Sequence, residues 1–402
     1  MMDYRQALTE LLSAMTARQD CIQVSALDAV NYILAKNLYA QYDSPFFDNS
    51  AMDGYALGSY SKSETKWEII DRVTAGDDAH HIKLKSGQAV RIFTGALIPK
   101  GTVTVVQQEI CHIEAKFLSL THSTNLAQNI RKRGEEFKKG SLLVAKGQRL
   151  TPGIISVITS QGYQEIPIIK PLSIIVFSTG NELIQPNEPL TAGKIYDANR
   201  YMLLNWLKQS RHTIIDGGVL SDNFDKTREA LLKASQQADV VVTSGGVSVG
   251  EEDHVLTSLK SVGELRFWKL AIKPGKPFAW GEIGPCKVFM LPGNPVSSLV
   301  TFQQLVIPAL KVMGGEPVEK SLPQFYLAKA NFVLVKDNSR REFLRVNVYY
   351  DTDGLRADKL LHQGSAMLGV LAQANALAEI PPHTLINKED LIKIYFFSSA
   401  II

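Results

Sequence analysis

The sequence predicts a multi-domain chain of α/β plus β class, built on a central, open, mostly parallel α/β sheet with smaller β domains around it. Three observations predict this. Residues 171–315 alternate apolar strand patterns with helical ones. Residues 46–140 break into short β-rich runs separated by Gly-containing turns. Beyond residue 320 a two-residue alternation returns, as in Phe343-Leu344-Arg345-Val346-Asn347-Val348.

Composition narrows the function. A chain of 402 residues has room for two to four domains. Apolar residues at 45% and charged residues at 21% are ordinary for a soluble globular protein. The formal charge of +3 leaves no basic footprint, which argues against nucleic acid as a partner. Cys21, Cys111 and Cys286 show no Cys-x-x-Cys spacing, which excludes a disulfide scaffold or a cysteine zinc site and fits a reducing cytosol. Met1-Met2-Asp3-Tyr4-Arg5 lacks the apolar stretch of a signal peptide. Residues 288–310 carry no charge and are long enough to span a bilayer. However, Pro292-Gly293-Asn294-Pro295 interrupts them and Gln303-Gln304 follows, so a buried strand, a turn and a buried helix are expected. The expectation is a soluble, cytoplasmic protein with no membrane partner.

Taken in order, residues 3–42 read as helical. Tyr4 to Met15 is amphipathic, and Ser25 with Asp28 resembles a capping box ahead of Ala29-Val30-Asn31-Tyr32-Ile33-Leu34. Runs such as Trp67-Glu68-Ile69-Ile70 and Val103-Thr104-Val105-Val106 mark the inserted small β domain. Thr151 serves as N-cap, with Pro152 at the first position, of a helix running to Gly162. Strands follow at 173–178, 213–219, 239–243 and 288–291, and helices at 201–209, 225–236 and 296–313. Expected domain limits are 1–45 with 141–170, 46–140, 171–318 and 319–402.

Open α/β sheets bind ligands at the carboxyl ends of their strands. Three polar loops fall there: Ser178-Thr179-Gly180-Asn181-Glu182, the loop beginning at Ser244, and Pro292-Gly293-Asn294-Pro295. In the second, Asp239-Val240-Val241-Val242 empties into Ser244-Gly245-Gly246, then Ser248 and Gly250, before Glu251-Glu252-Asp253-His254 opens a helix. Glycines let backbone N–H groups turn toward an anion, while carboxylates repel one. A divalent cation such as Mg²⁺ reconciles the two. Equally, acids in a first helical turn complement the dipole, and Gly-Gly can be a tight turn only. The loop is neither a Walker A sequence nor Gly-x-Gly-x-x-Gly.

Other motifs carry two readings each. Asp48, Asn49 and Asp53 in Phe46–Ala56 suit Asx-turns or a polar site. Arg91-Ile92-Phe93-Thr94-Gly95-Ala96 is a strand ending in a turn. Arg131-Lys132-Arg133-Gly134-Glu135-Glu136 is a solvated edge or a phosphate grip. In Lys273-Pro274-Gly275-Lys276-Pro277 the prolines stiffen a loop that presents two lysines, either to a compact tetrahedral oxyanion or to solvent alone.

These motifs, with Tyr196-Asp197-Ala198-Asn199-Arg200, Gly364-Ser365 and Ala374-Asn375-Ala376-Leu377, occur in the order seen in the molybdopterin molybdenumtransferase family (MoeA type), and the chain resembles that family along nearly its whole length. The C-terminal domain of gephyrin is a relative. The resemblance implies an elongated homodimer with a molybdopterin-binding-type sheet, an inserted β domain and a C-terminal β-barrel-like domain. It implies Mg²⁺-dependent insertion of molybdate into adenylylated molybdopterin with release of AMP, in a pocket between protomers. It assigns activity to Asp53, Thr94, Glu182, Asp253, Lys273 and Lys276, with Asp253 and Glu182 as Mg²⁺ ligands and the lysines facing molybdate. Ligand contacts fall to Ser244, Gly245, Gly246, Ser248, Gly250, Pro292, Gly293, Asn294, Arg131 and Arg345. Molybdopterin adenylyltransferase and molybdoenzyme apo-proteins are the implied partners.

Two departures stand out: Glu136 and Asn181 occupy positions where many members have Asp. Two other readings stay open. One is an adenylyltransferase or nicotinamide-nucleotide-processing enzyme sharing the α/β domain, though those families lack the Phe47–Ala56 segment. The other is a non-catalytic dimeric scaffold or molybdopterin-binding paralogue, which would tolerate loss of site charges that this chain keeps.

Overall fold

A computed structural model describes residues 1–61, 63–247 and 254–397. The chain forms two compact units, one of Lys36–Lys146 with Pro152–Gln164 and the other of Met1–Ala35, Gly147–Thr151 and Glu165–Ile402. The smaller unit is built on a six-stranded sheet in the order Thr104–Gln107, Gly54–Leu57, Gln88–Ile92, Trp67–Val73, Phe117–Leu120, Cys111–Glu114. Alternate residues of a strand face opposite ways. Accordingly Ala56 and Val90 join one apolar cluster, while Tyr55, Leu57 and Ala89 join another.

The larger unit opens with the helix Tyr4–Ser13, capped by Asp3, whose carboxylate accepts the N–H groups of Arg5 and Gln6. The second helix expected after Ser25 does not form. Cys21–Ser25 is instead a strand paired antiparallel with Glu165–Ile169, and Leu34 bridges to Ile168. Ser25 closes a turn, its hydroxyl accepting the Leu27 N–H at 3.3 Å and its carbonyl the Asp28 N–H. A short polar side chain offers the backbone this alternative to a helix start. Ile22 and Val24, β-branched and spaced by two, already favour a strand. The helix expected after Thr151 is present as Pro152–Ser160, in the smaller unit.

The central sheet runs Thr213–Leu220, Ser173–Thr179, Val240–Ser244, Cys286–Leu291, Pro277–Ile283, Glu264–Lys269. The first four are mutually parallel; the last two, which the sequence pattern did not reveal, add antiparallel. Val240–Ser244 is buried along its whole length, as a strand covered on both faces must be. Val240 and Val242 enter the core shared with the helices Asn199–Leu207 and Pro295–Met313, whereas Val241 enters the core shared with Phe224–Gln237 and His254–Val262. Strand order reverses between Ser173–Thr179 and Val240–Ser244, and this is where a crevice opens in such sheets.

Pro295–Met313 is long and apolar enough to cross a membrane, but it is buried inside the protein. Its middle turn, Phe302–Val306, is widened, with the Ile307 N–H bonding to the Phe302 carbonyl. Pro308 has no N–H to give to Gln304 and would crowd that carbonyl in a regular helix, so a wider turn relieves the conflict. Five C-terminal strands, Tyr326–Ala330, Arg341–Asp351, Gly354–Lys359, Ala376–Ile380 and Leu391–Phe396, close into a barrel because Arg341–Asp351 pairs with both Gly354–Lys359 and Ala376–Ile380. Phe343, Leu377 and Tyr395 pass from it into the sheet's core.

His212 makes this unit acid-sensitive. Its Nδ1 accepts the Leu172 N–H at 3.2 Å, and burial pulls its pKa from 6.5 to about 4. The folded state therefore holds a neutral ring, and this contribution to stability is complete above pH 6.5 and lost as pH falls toward 4. Urea unfolding should show a loss of up to about 3 kcal/mol across that window. His212→Gln should flatten it; an unchanged slope in that variant would assign the sensitivity elsewhere.

Candidate active site

The strand-end loops of the central sheet gather around a cleft of about 390 Å³. Thr179, Gly180 and Glu182 come from the end of Ser173–Thr179, Ser221 and Asp222 from that of Thr213–Leu220, Gly245 and Gly246 from that of Val240–Ser244, and Pro292, Gly293 and Asn294 from that of Cys286–Leu291. A second cavity, about 610 Å³, shares Thr179, Glu182, Gly293 and Asn294 with the first and adds Ser178, Asn199 and Ser244. The glycines are required by space. Gly245 has φ +99°, and a Cβ there would stand 2.4 Å from Thr179 Oγ1; on Gly246 it would stand 2.3 Å from Val255 Cγ2. Backbone therefore lines this wall of the cleft, as the sequence pattern led us to expect.

The turn Tyr196–Arg200 holds these loops together, although the sequence reading gave it no role. Asp197 is 2% exposed and accepts Ser178 Oγ–H and Arg200 Nε–H, each at 2.8 Å. Arg200, equally buried, also donates to Asp216 and to Gln185. Burial works against the Arg200 charge, but the bonds to Asp197 and Asp216 outweigh it and keep the guanidinium firmly protonated. Asn199 Nδ2 donates to Ser244 Oγ at 2.9 Å and to the Gly293 carbonyl at 2.6 Å, joining the third and fourth strand-end loops.

Glu182 is exposed on the walls of both cavities. Beside it Asn181 and Asp222 clasp reciprocally: Asp222 Oδ2 accepts the Asn181 N–H at 2.9 Å and Asn181 Oδ1 the Asp222 N–H at 3.2 Å. The amide at position 181 thus faces a carboxylate without repulsion. Asp222 is a site residue the sequence reading missed; its signal was its position just past the carboxyl end of the strand Thr213–Leu220. Ser248, Gly250 and Asp253, expected on this rim, lie outside the described residues. Among the described residues no three His, Cys, Asp or Glu side chains gather as a metal site. Glu182, Asp222, Thr179 and Ser221 line the same cavity and are residues of the oxygen-donor type that a hard cation retaining water takes.

Lys273 pairs with Glu342 at 2.9 Å, and Lys276 is exposed on the same loop, which reaches the first cavity through Pro277. Arg345 is 1% exposed and donates to the carbonyls of Phe343 and Gly364, both at 3.3 Å. Burial pulls its pKa down to about 10. Neither cavity includes Arg345 in its walls.

In the smaller unit two motifs meet. Asp53 Oδ1 accepts both the N–H and the hydroxyl of Thr94 at 2.8 Å, and these bonds hold its carboxyl below the usual range. Ser50 and the Phe93–Ala96 turn exchange backbone bonds, fixing Asp53 relative to Thr94. Arg131 is exposed, its backbone paired with Asn49. Its neighbours Lys132 and Arg133 are neutralised by Asp48 and Asp43 at 2.9 and 2.7 Å. Glu136 accepts the Ser44 hydroxyl at 2.9 Å.

A cleft at the switch point of an open α/β sheet, lined by carboxylates and a glycine turn, is the architecture of a ligand-binding α/β protein, here with a closed C-terminal barrel. Family models agree: the MoeA N-terminal region (domain I and II) matches residues 2–162, a probable molybdopterin binding domain matches 175–312, and the MoeA C-terminal region (domain IV) matches 328–397. The chain is 38% identical to a molybdopterin molybdenumtransferase of Haemophilus influenzae, over 93% of each. It is 31% identical to one of Bacillus subtilis, over 90% of this chain and 86% of that one. The crystal structure of a molybdopterin biosynthesis MoeA protein from Pyrococcus horikoshii OT3 superposes with TM-score 0.84 at 28% identity, over 98% of this chain and 100% of that one. The chain belongs to the molybdopterin molybdenumtransferase family.

Arg200→Met would leave Asp197 charged and buried. A loss of about 3–5 kcal/mol is expected in urea unfolding, as for other broken buried pairs. A loss under about 1 kcal/mol would show that Asp197 is held well enough by Ser178 alone.

Proposed function

We propose that this chain inserts molybdate into adenylylated molybdopterin with release of AMP, and that the cleft at the switch point holds the reacting groups. The observation that carries this reading is the convergence of Glu182, Asp222 and the Gly245-Gly246 turn on one cleft in a member of this family. Cleaving a phosphoanhydride builds charge on phosphate oxygens, and the Gly246 N–H is the backbone donor of this turn that would meet it, since the Gly245 N–H is held by the Leu291 carbonyl. Glu182, Asp222 and Asp253 hold Mg²⁺, which neutralises phosphate charge when bound. Lys273 and Lys276 take molybdate, and Ser248 helps them hold it. Ser244, Gly250, Pro292, Gly293 and Asn294 shape the pterin nucleotide pocket. Asp53, kept ionised by Thr94, belongs to the catalytic set, while Arg131 and Arg345 contribute positive charge around the bound nucleotide.

The working form is a cytoplasmic homodimer, supported by the family resemblance and by three unpaired cysteines. Four functional regions, 1–45 with 141–170, 46–140, 171–318 and 319–402, divide the work. The adenylylated substrate comes from a molybdopterin adenylyltransferase, and the product passes to molybdoenzyme apo-proteins.

Two substitutions test the assignment. Asp253→Ala should abolish Mg²⁺-dependent AMP release while circular dichroism shows an unchanged fold; normal turnover would remove Asp253 from the site. Lys276→Ala should raise the half-saturating molybdate concentration by roughly ten- to a hundredfold, since a charge-assisted contact is worth about 1.5–3 kcal/mol. An unchanged molybdate dependence would sink the oxyanion assignment.

A further inference from the structure

The partner of Lys273 is a carboxylate that the reaction does not obviously need. Ile272–Lys273 pairs parallel with Arg341–Glu342, so the backbone sets Lys273 opposite Glu342. The Arg341 N–H also bonds to the Ala271 carbonyl at 2.7 Å. Their side chains meet at 2.9 Å, with the carboxylate 10% exposed and the ammonium 45% exposed. The loop packs closely at its bend, where a Cβ on Gly275 would stand 2.9 Å from Thr301 Cγ2 and 3.0 Å from Ile272 Cδ1. Lys276, three positions on, has no acidic partner among the described residues. The two lysines of the loop are therefore unequal: one is engaged by an internal anion and the other faces solvent.

We propose that Glu342 is a positioning residue and counter-ion for Lys273, holding its ammonium in place and keeping an oxyanion at the Lys273–Lys276 loop weakly bound and readily exchanged. This rests on the oxyanion reading of that loop. Glu342 and a bound oxyanion share one ammonium, so each reduces the other's hold. The carboxylate spares the lysine part of its rotamer entropy, but it also occupies the ammonium that an oxyanion would need, and this competition for Lys273 is the larger effect. An oxyanion that must be consumed in each turnover gains nothing from a trap, because binding that is equally strong before and during the reaction does not speed it.

Calorimetric titration of the full chain with sodium molybdate reads this directly. Glu342→Gln keeps the shape and loses the charge, and it should tighten molybdate binding by about five- to tenfold. In a Lys273→Met background the same substitution should change affinity by less than about twofold. Glu342→Asp keeps the charge but withdraws it from Lys273, so a smaller tightening is expected, and it serves as the probe if the Gln variant does not fold. A purely structural role would instead lower melting temperature and weaken binding in both variants. Unchanged or weaker binding in folded Glu342 variants, with Lys276→Ala still weakening it, overturns the counter-ion proposal and leaves the oxyanion reading intact. Molybdate binding indifferent to Lys273→Met and Lys276→Ala alike overturns both.

Discussion

Asn199 and its neighbours tie together three of the strand ends around the cleft. The carboxyl ends of parallel strands diverge into turns of different length, and each turn carries only one or two of the groups a ligand would meet. Asn199 spans two of these turns with the two hydrogens of one amide. Asp197 binds a third through Ser178, and Arg200 secures Asp197 from below. Because Asp197 is buried and Arg200 is the cation it pairs with, loss of Arg200 would leave an unpaired charge in the interior. Gly245 comes close to Thr179 because their strands pair in parallel up to Ser178 and Ser244, and a Cβ on Gly245 would stand 2.4 Å from Thr179 Oγ1.

The sequence made the central sheet legible because its strands are buried on both faces and read as continuous apolar runs, with Val240-Val241-Val242 the plainest. The strands Glu264–Lys269 and Pro277–Ile283 escaped notice for the opposite reason. They form the antiparallel edge, and Glu264, Arg266 and Lys269 interrupt the apolar pattern there. The false helix after Ser25 shows how a local capping signal loses to long-range pairing with Glu165–Ile169. Within the site, glycines and lysines announced themselves by type and spacing. Asp222 and Asn199 did not, because a single Asp or Asn beside a helix start has a local explanation in every sequence and only the fold brings these two to the cleft.

Charge pairing separates the two units' basic motifs. Lys132 and Arg133 meet Asp48 and Asp43, which makes that cluster a set of exposed ion pairs closing a loop. Such pairs each contribute little, on the order of 1 kcal/mol or less. The Lys273–Lys276 loop differs because its scaffold is stiff and only one of its ammonium groups is engaged by an acid among the described residues. The Asp53–Thr94 contact belongs to a third kind, a carboxylate whose Oδ1 is held by two neutral donors, which do most to keep it ionised.

The central claim is molybdenum transfer coupled to nucleotide release, and the purified wild-type protein tests it most directly. It would be incubated with adenylylated molybdopterin and Mg²⁺, and AMP would be quantified over time with and without molybdate. AMP release that depends on molybdate is the predicted result. Binding of the adenylylated pterin with no molybdate-dependent release would contradict the account and leave a pterin-binding scaffold in its place.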